Sequence, residues 1–145
     1  MALAVGTKAP DFTTKDDQGN TVSLSDFAGK VVVLYFYPKD DTPGCTKEAQ
    51  SFRDNYSEYQ DKDMVVLGVS NDDEASHKMF KEKYGLPFQL LADTDRSITT
   101  AYDVDGGGYP KRVTYIINGE GVITHVDDKV QTTTHAQDIL ATIGK

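Results

Sequence analysis

Three features predict an α/β fold: two apolar runs, residues 31–37 throughout and most of 64–69, a segment of helical period between them, and a late pair of strands joined by a tight turn. Neither run alternates as a half-exposed strand would, so both are placed as central strands buried on both faces. Ahead of them, residues 12–14 and 21–24 flank the turn-rich Asp16-Asp17-Gln18-Gly19-Asn20 and read as a short hairpin covering one end of the sheet. Between the runs, Ala49, Phe52, Tyr56 and Tyr59 recur at helical spacing. After the second run, Ala75, Met79, Phe80 and Tyr84 form an apolar stripe that ends at a capping Gly85. A short strand near 89–91 and a helix through Ile98 and Tyr102 follow. Strands at 113–117 and 122–126 then flank Asn118-Gly119-Glu120-Gly121, and a last helix carries Ala136, Ile139, Leu140 and Ile143. A β-α-β unit followed by a hairpin and a helix is the thioredoxin-like arrangement, a central mixed sheet flanked by helices, here with an N-terminal β-hairpin extension.

The 145 residues suit one compact domain, 1–145. With 15 basic and 23 acidic side chains the net charge is −8, which repels phosphate backbones and anionic lipid headgroups. No nucleic-acid or membrane partner is expected. The start of the chain lacks a charged region leading into a hydrophobic core, and no apolar stretch nears the ~20 residues of a spanning helix. A cytoplasmic setting is therefore expected, or an organelle if an upstream targeting peptide has been removed. His77, His125 and His135 share no metal-ligand spacing and read as solvated or locally bonded. Asp103-Val104-Asp105-Gly106 opens like a calcium loop, but Thr114 stands where a bidentate glutamate belongs. Neither a metal nor an organic cofactor is expected.

Cys45 is the only cysteine, so it can form neither an internal disulfide nor a cysteine metal cluster. Redox chemistry at this sulfur must finish with an outside partner. Thr42 precedes Pro43 and is restrained to an extended conformation, while proline suits the first helical position. Thr42 is thus the expected N-cap, and Cys45 falls in the first helical turn, where free amides and the helix dipole favour an anion. Cys45 also continues the stripe of Ala49, Phe52 and Tyr56, which is the pattern of a buried, inert core cysteine. Magnitudes bear on the choice. An ordinary thiol, pKa ~8.5, is a few per cent thiolate at neutral pH, and bringing such a group to ~6 takes about 3.4 kcal/mol. A helix terminus supplies ~0.3 to 1 kcal/mol, so a nearby cation must supply the rest. The chain has three arginines, Arg53, Arg96 and Arg112, and Arg112 opens a strand that the fold lays beside the first helix.

The run Pro38-Lys39-Asp40-Asp41-Thr42-Pro43-Gly44-Cys45 resembles the peroxiredoxin active-site signature, Pro-x-x-x-Thr-x-x-Cys. Gly44-Cys45-Thr46-Lys47-Glu48-Ala49, Phe52-Arg53-Asp54, Tyr84-Gly85-Leu86-Pro87-Phe88 and Leu90-Leu91-Ala92-Asp93 are similar to the bacterioferritin-comigratory, or peroxiredoxin Q, subfamily, over nearly the whole chain. The resemblance implies a thiol-dependent peroxidase acting on hydrogen peroxide or alkyl hydroperoxides. It makes Cys45 the peroxidatic cysteine, has Thr42 hydrogen-bond the peroxide, and has Pro38 shield the pocket. It matches Arg112 to the thiolate-activating arginine and Glu48 to a carboxylate that holds the pocket's hydrogen bonds. Donors from Thr42, the Cys45 amide and Arg112 would act on the breaking O–O bond.

Gln50 occupies the place, five residues on, where many members carry a resolving cysteine, so the chain reads as a one-Cys type. Its sulfenic acid would need an external thiol, thioredoxin or glutathione with glutaredoxin, and would be open to overoxidation. A monomer or weak dimer is implied. Two other readings use the same fold: a redox sensor that modifies Cys45 without turnover, and a structural module with an inert cysteine. A dithiol reductase is disfavoured because Thr42 stands where its first sulfur belongs.

Overall fold

The structure, a computed structural model, describes residues 3–143, without the side chain of Ile143. Seven strands, β1 (Thr13–Asp16), β2 (Thr21–Ser23), β3 (Val31–Phe36), β4 (Met64–Ser70), β5 (Gln89–Ala92), β6 (Val113–Ile117) and β7 (Ile123–Asp127), form one sheet in the order β2-β1-β5-β4-β3-β6-β7. The expected hairpin forms, but instead of lying over the end of the sheet it extends its edge. Lys15 and Asp16 of β1 pair antiparallel with Ala92 and Leu91 of β5.

Alternate side chains of β3 enter two separate cores. Val32, Leu34 and Phe36 pack with Leu67, Val69, Tyr102 and Tyr115 on one face, whereas Val33, Tyr35 and, just past the strand, Tyr37 pack with Phe52, Tyr59, Phe80 and Leu90 on the other. Burial on both faces is why the strand needs no polar alternation.

Besides a short 3₁₀ turn at Leu24–Phe27, five α-helices lie among the described residues: α1 (Pro43–Asp54), α2 (Tyr56–Asp61), α3 (Glu74–Tyr84), α4 (Ser97–Ala101) and α5 (His135–Ile143). The helical period from Ala49 to Tyr59 is divided at Asn55, whose side-chain amide donates to Ser51 O (2.8 Å) and so takes over a carbonyl of the last turn. In α3 the expected stripe is rotated. Ala75 is exposed and Met79 is 71% exposed, while His77 and Phe80 are buried, three residues apart on the face that Tyr84 continues. Gly85 ends α3 in the left-handed conformation, φ 62, as expected. No helix among the described residues is long and apolar enough to cross a membrane.

Register places the site. β3 and β4 run parallel, whereas β6 runs antiparallel to β3 with Val113 opposite Phe36. Arg112 therefore sits just past the carboxyl end of β3, where the chain turns toward α1.

Candidate active site

The turn from β3 into α1 is tied down on its inner side. Asp40 accepts from Tyr37 Oη (2.6 Å), Ser76 Oγ (2.8 Å) and His77 Nδ1 (2.7 Å), and its amide donates to Asp72 Oδ2 (2.8 Å). Asp41 takes the left-handed conformation, φ 59, which aspartate tolerates, and accepts from Lys83 Nζ (2.8 Å) and Tyr84 Oη (2.6 Å). Asp40, Asp72 and His77 are close enough to suggest a cation site. However, His77 faces Asp40 with one nitrogen and Leu91 O with the other (2.9 Å), so neither has a lone pair left for a metal.

Thr42 is extended, φ −96 and ψ 155, and Pro43 opens α1 as expected. Its hydroxyl does not cap the helix; it donates to Lys39 O (2.8 Å). With that proton committed, the oxygen offers lone pairs and is an acceptor, not the donor expected from the sequence. The first helical bond runs from Thr46 N to Thr42 O (2.8 Å), so the amides of Gly44 and Cys45 lie ahead of the hydrogen-bonded ladder.

Cys45 satisfies both halves of the sequence reading. It is 1% exposed and packs in the core with Val33, Tyr35, Tyr37, Ala49 and Phe52. Its sulfur also receives Arg112 Nη2 at 3.3 Å, while Nη1 of the same guanidinium binds Glu48 Oε1 at 2.6 Å. Unit charges 3.3 Å apart interact by about 5 kcal/mol at an effective dielectric near 20, several times the helix-terminus contribution. Gly44 leaves room for this approach: a methyl group there would stand 3.0 Å from Nη2, so the guanidinium would have to give by a few tenths of an ångström. Burial opposes the charge on Arg112, yet Glu48 and Cys45 hold its pKa above the ordinary value.

Glu48 is fully buried one helical turn beyond Cys45. Burial raises its pKa to about 7 against the pull of Arg112, with Asp127 adding to the rise. Its Oε2 has no hydrogen-bond partner among the described residues and lies 3.6 Å from Nε2 of His135. His135 Nε2 bonds Thr114 Oγ1 (2.7 Å), while Nδ1 has no hydrogen-bond partner among the described residues and lies 3.6 Å from Asp127 Oδ2. Burial lowers the pKa of His135 to about 4, although Asp127 and Asp138 oppose that change. The start of α5 is fixed by Ala136, whose amide donates to Ser51 Oγ (3.0 Å) and whose carbonyl accepts from Tyr59 Oη (2.7 Å).

Of the residues picked from sequence, Cys45, Arg112 and Glu48 come together, and Thr42 sits at the head of α1, which carries Cys45 and Glu48. Pro38 is half-buried and lines a neighbouring cleft with Lys39, Asn71, Asp72, Gly108 and Tyr109. His77 and His135, expected to be solvated or locally bonded, are instead fully buried and bonded to residues distant in sequence. Their helical spacing carried a signal: His77 with Phe80 and Tyr84, His135 with Ile139.

The AhpC/TSA family profile matches residues 5–126. Peroxiredoxin Bcp of Bacillus subtilis is 44% identical over 99% of this chain and 96% of its own length. Peroxidoxin BcpB of Mycobacterium tuberculosis superposes with a TM-score of 0.90 at 31% identity, covering 97% of this chain and 96% of the other. The bacterioferritin comigratory protein of Xanthomonas campestris, described for its alkyl peroxide reduction activity, superposes at 0.88 with 32% identity over 99% and 98%. With these likenesses and its single cysteine, the chain belongs to the AhpC/TSA family as a one-Cys member of the bacterioferritin-comigratory, or peroxiredoxin Q, branch, and is a thiol-dependent peroxidase.

Proposed function

We propose that this peroxidase reduces hydrogen peroxide and organic hydroperoxides at Cys45. The observation that carries the reading is the guanidinium of Arg112, 3.3 Å from the only sulfur able to act as nucleophile. The thiolate attacks the terminal peroxide oxygen, the O–O bond breaks, and Cys45 becomes a sulfenic acid while water or an alcohol leaves. Thr42, its own proton held by Lys39 O, accepts a hydrogen bond from the terminal O–H and orients it. Arg112 and the Gly44 and Cys45 amides stabilise charge developing on the departing oxygen. Pro38, in the turn that leads from β3 to Thr42, shields the sulfur from water, as the resemblance implies.

No second cysteine can resolve the sulfenic acid, so an external thiol, thioredoxin or glutathione with glutaredoxin, returns Cys45 to the reduced state. The enzyme works as a monomer or weak dimer, as the subfamily resemblance implies. The test is the rate at which stoichiometric hydrogen peroxide consumes reduced Cys45, followed by rapid quench and intact mass with Cys45→Ser as control. A second-order constant orders of magnitude above that of a free thiol, with a gain of one oxygen, supports the reading. A rate no faster than a free thiol leaves Cys45 as the inert core residue that its 1% exposure also suits.

A further inference from the structure

The buried site holds one cation and two potential anions. Arg112 binds Cys45 Sγ with one nitrogen and Glu48 Oε1 with another, and the second oxygen of Glu48 has no partner among the described residues. The groups that face Glu48 come from four other elements and from its own helix: Arg112 at the start of β6, Tyr35 on β3, Asp127 on β7, His135 on α5, and Cys45 on α1. None of them provides a second positive charge. Burial keeps Tyr35 a neutral phenol and keeps His135 a neutral imidazole near neutral pH, while Asp127 adds negative field. A single guanidinium cannot fully offset both a thiolate and a carboxylate in a dry site, so one of the two anions is disfavoured.

Building on the peroxidatic role of Cys45, we propose that Glu48 is the proton reservoir of the oxidation step: protonated while Cys45 is a thiolate, and ionised once Cys45 has become a sulfenic acid. Oxidation removes the negative charge from sulfur, which frees Arg112 to pair wholly with Glu48, and the carboxyl group then gives up its proton. The step balances as Cys45–S⁻ + RO–OH + Glu48–COOH → Cys45–S–OH + ROH + Glu48–COO⁻. The S–O bond forms as the O–O bond breaks, sulfur loses two electrons to the peroxide, and the proton from Glu48 neutralises the departing alkoxide or hydroxide by way of solvent. The site's charge is the same before and after. The orphaned Oε2 is where the proton rests, next to the neutral ring of His135. When an external thiol restores the thiolate, Glu48 takes the proton back. Glu48 acts through Arg112 and the proton balance, and is a positioning residue with respect to the sulfur.

The test counts protons while Cys45 is oxidised. Reduced protein is mixed with stoichiometric hydrogen peroxide in weak buffer with a pH indicator, at about pH 6, below the value of about 7 for Glu48. The same reaction is followed by infrared difference spectroscopy at the carbonyl stretch of protonated carboxyl groups, and sulfenic acid is counted by mass. Wild type should take up no net proton and lose one protonated-carboxyl band per cysteine oxidised. Glu48→Gln should take up one proton per cysteine and show no such loss. Sulfenic acid formed in wild type with the carboxyl band unchanged, or with one proton taken up, overturns the reservoir while leaving the peroxidase reading intact. Absence of sulfenic acid in wild type overturns both. The wild-type infrared arm decides the matter even if the variant does not fold.

Discussion

The ring of His77 is held between two acceptors, with Nδ1 2.7 Å from Asp40 Oδ2 and Nε2 2.9 Å from Leu91 O. A carbonyl cannot donate, and the Asp40 carboxylate already accepts from Tyr37 and Ser76, so the ring carries both protons and forms a buried ion pair. That pair fixes Asp40, midway between Pro38 and Thr42. Burial works against the charge, but the hydrogen bond and charge of Asp40 raise the pKa of His77 above its ordinary value. A raised histidine pKa contributes stability that is fully present below the unfolded value of ~6.5 and is lost as pH rises through the folded value. His77→Gln should cost about 3 kcal/mol near pH 6 and progressively less toward alkaline pH. Urea unfolding at several pH values reads this, and a gap that does not change with pH would contradict the doubly protonated ring.

Gly44 leaves room for the guanidinium, and a methyl group there would sit 3.0 Å from Arg112 Nη2. Gly44→Ala should therefore displace Arg112 from Cys45 and slow sulfenic acid formation by about tenfold or more, roughly 1.4 kcal/mol of barrier. Alanine is the better helix former by up to ~1 kcal/mol, so stability should hold or rise. Rapid-quench rates set beside denaturant midpoints separate the two effects. An unchanged rate would mean the guanidinium has room to shift without loss.

The central strands and the place of Cys45 are legible in the sequence because each rests on a strong local signal, whereas its meeting with Arg112, 67 residues away, is legible only through the expected fold and the family resemblance. An apolar run without alternation has to be buried on both faces, and a lone cysteine after Thr-Pro-Gly has to lie in a first helical turn. The placement of His77 and His135 was hidden for the opposite reason. Histidine is polar by composition, and only its partners, Asp40 and Leu91 in one case and Thr114 in the other, make burial tolerable. Those partners are 14 to 37 residues away. The α3 stripe departs for the same reason: Phe80 and Tyr84 face the core as expected, but His77 takes the place expected of Ala75 and Met79, which turns the buried face by about a quarter of a turn. The hydroxyl of Thr42 is equally out of reach, because its bond to Lys39 O closes a turn in which Asp41 takes the left-handed conformation, and no sequence pattern announces that turn.

Thr42 should act through its lone pairs. Thr42→Ser keeps an oxygen that can still donate to Lys39 O, and should retain most of the peroxide rate. Thr42→Val keeps the shape and removes the acceptor, and should lose at least tenfold, about 1.4 kcal/mol. Stopped reactions at equal peroxide concentrations compare them. Equal rates for valine and wild type would remove the hydroxyl from the mechanism.

At 1% exposure Cys45 should discriminate by size more than by chemistry. Hydrogen peroxide should oxidise it faster than a bulky aromatic disulfide reagent labels it, the reverse of the order expected for a thiol on the surface. Unfolding in urea should abolish the preference. Labelling of the native protein as fast as in urea would show that the core around Phe52 and Tyr35 does not screen the sulfur.

The raised pKa of Glu48 also has a thermodynamic signature. Its value of about 7 in the fold, against an ordinary 4.5, means that the folded state prefers the protonated carboxyl. The associated stability is fully present below the ordinary value and is lost as pH rises through the folded one, up to about 3 kcal/mol between about pH 4.5 and pH 7. His135 has the opposite sign. Lowered to about 4 by burial, it contributes stability that is present above ~6.5 and lost as pH falls from there through about 4. The two trends offset each other in wild type, so the informative quantity is the difference from Glu48→Gln, which isolates the carboxyl. Relative to that variant, reduced wild type should lose stability as pH rises from about 5 to about 8, by urea unfolding. If Glu48 and the thiolate compete for Arg112, Cys45→Ser should move the loss to lower pH, because the guanidinium then serves the carboxylate alone. A loss that stays in place would show that burial, without the sulfur, sets the proton on Glu48.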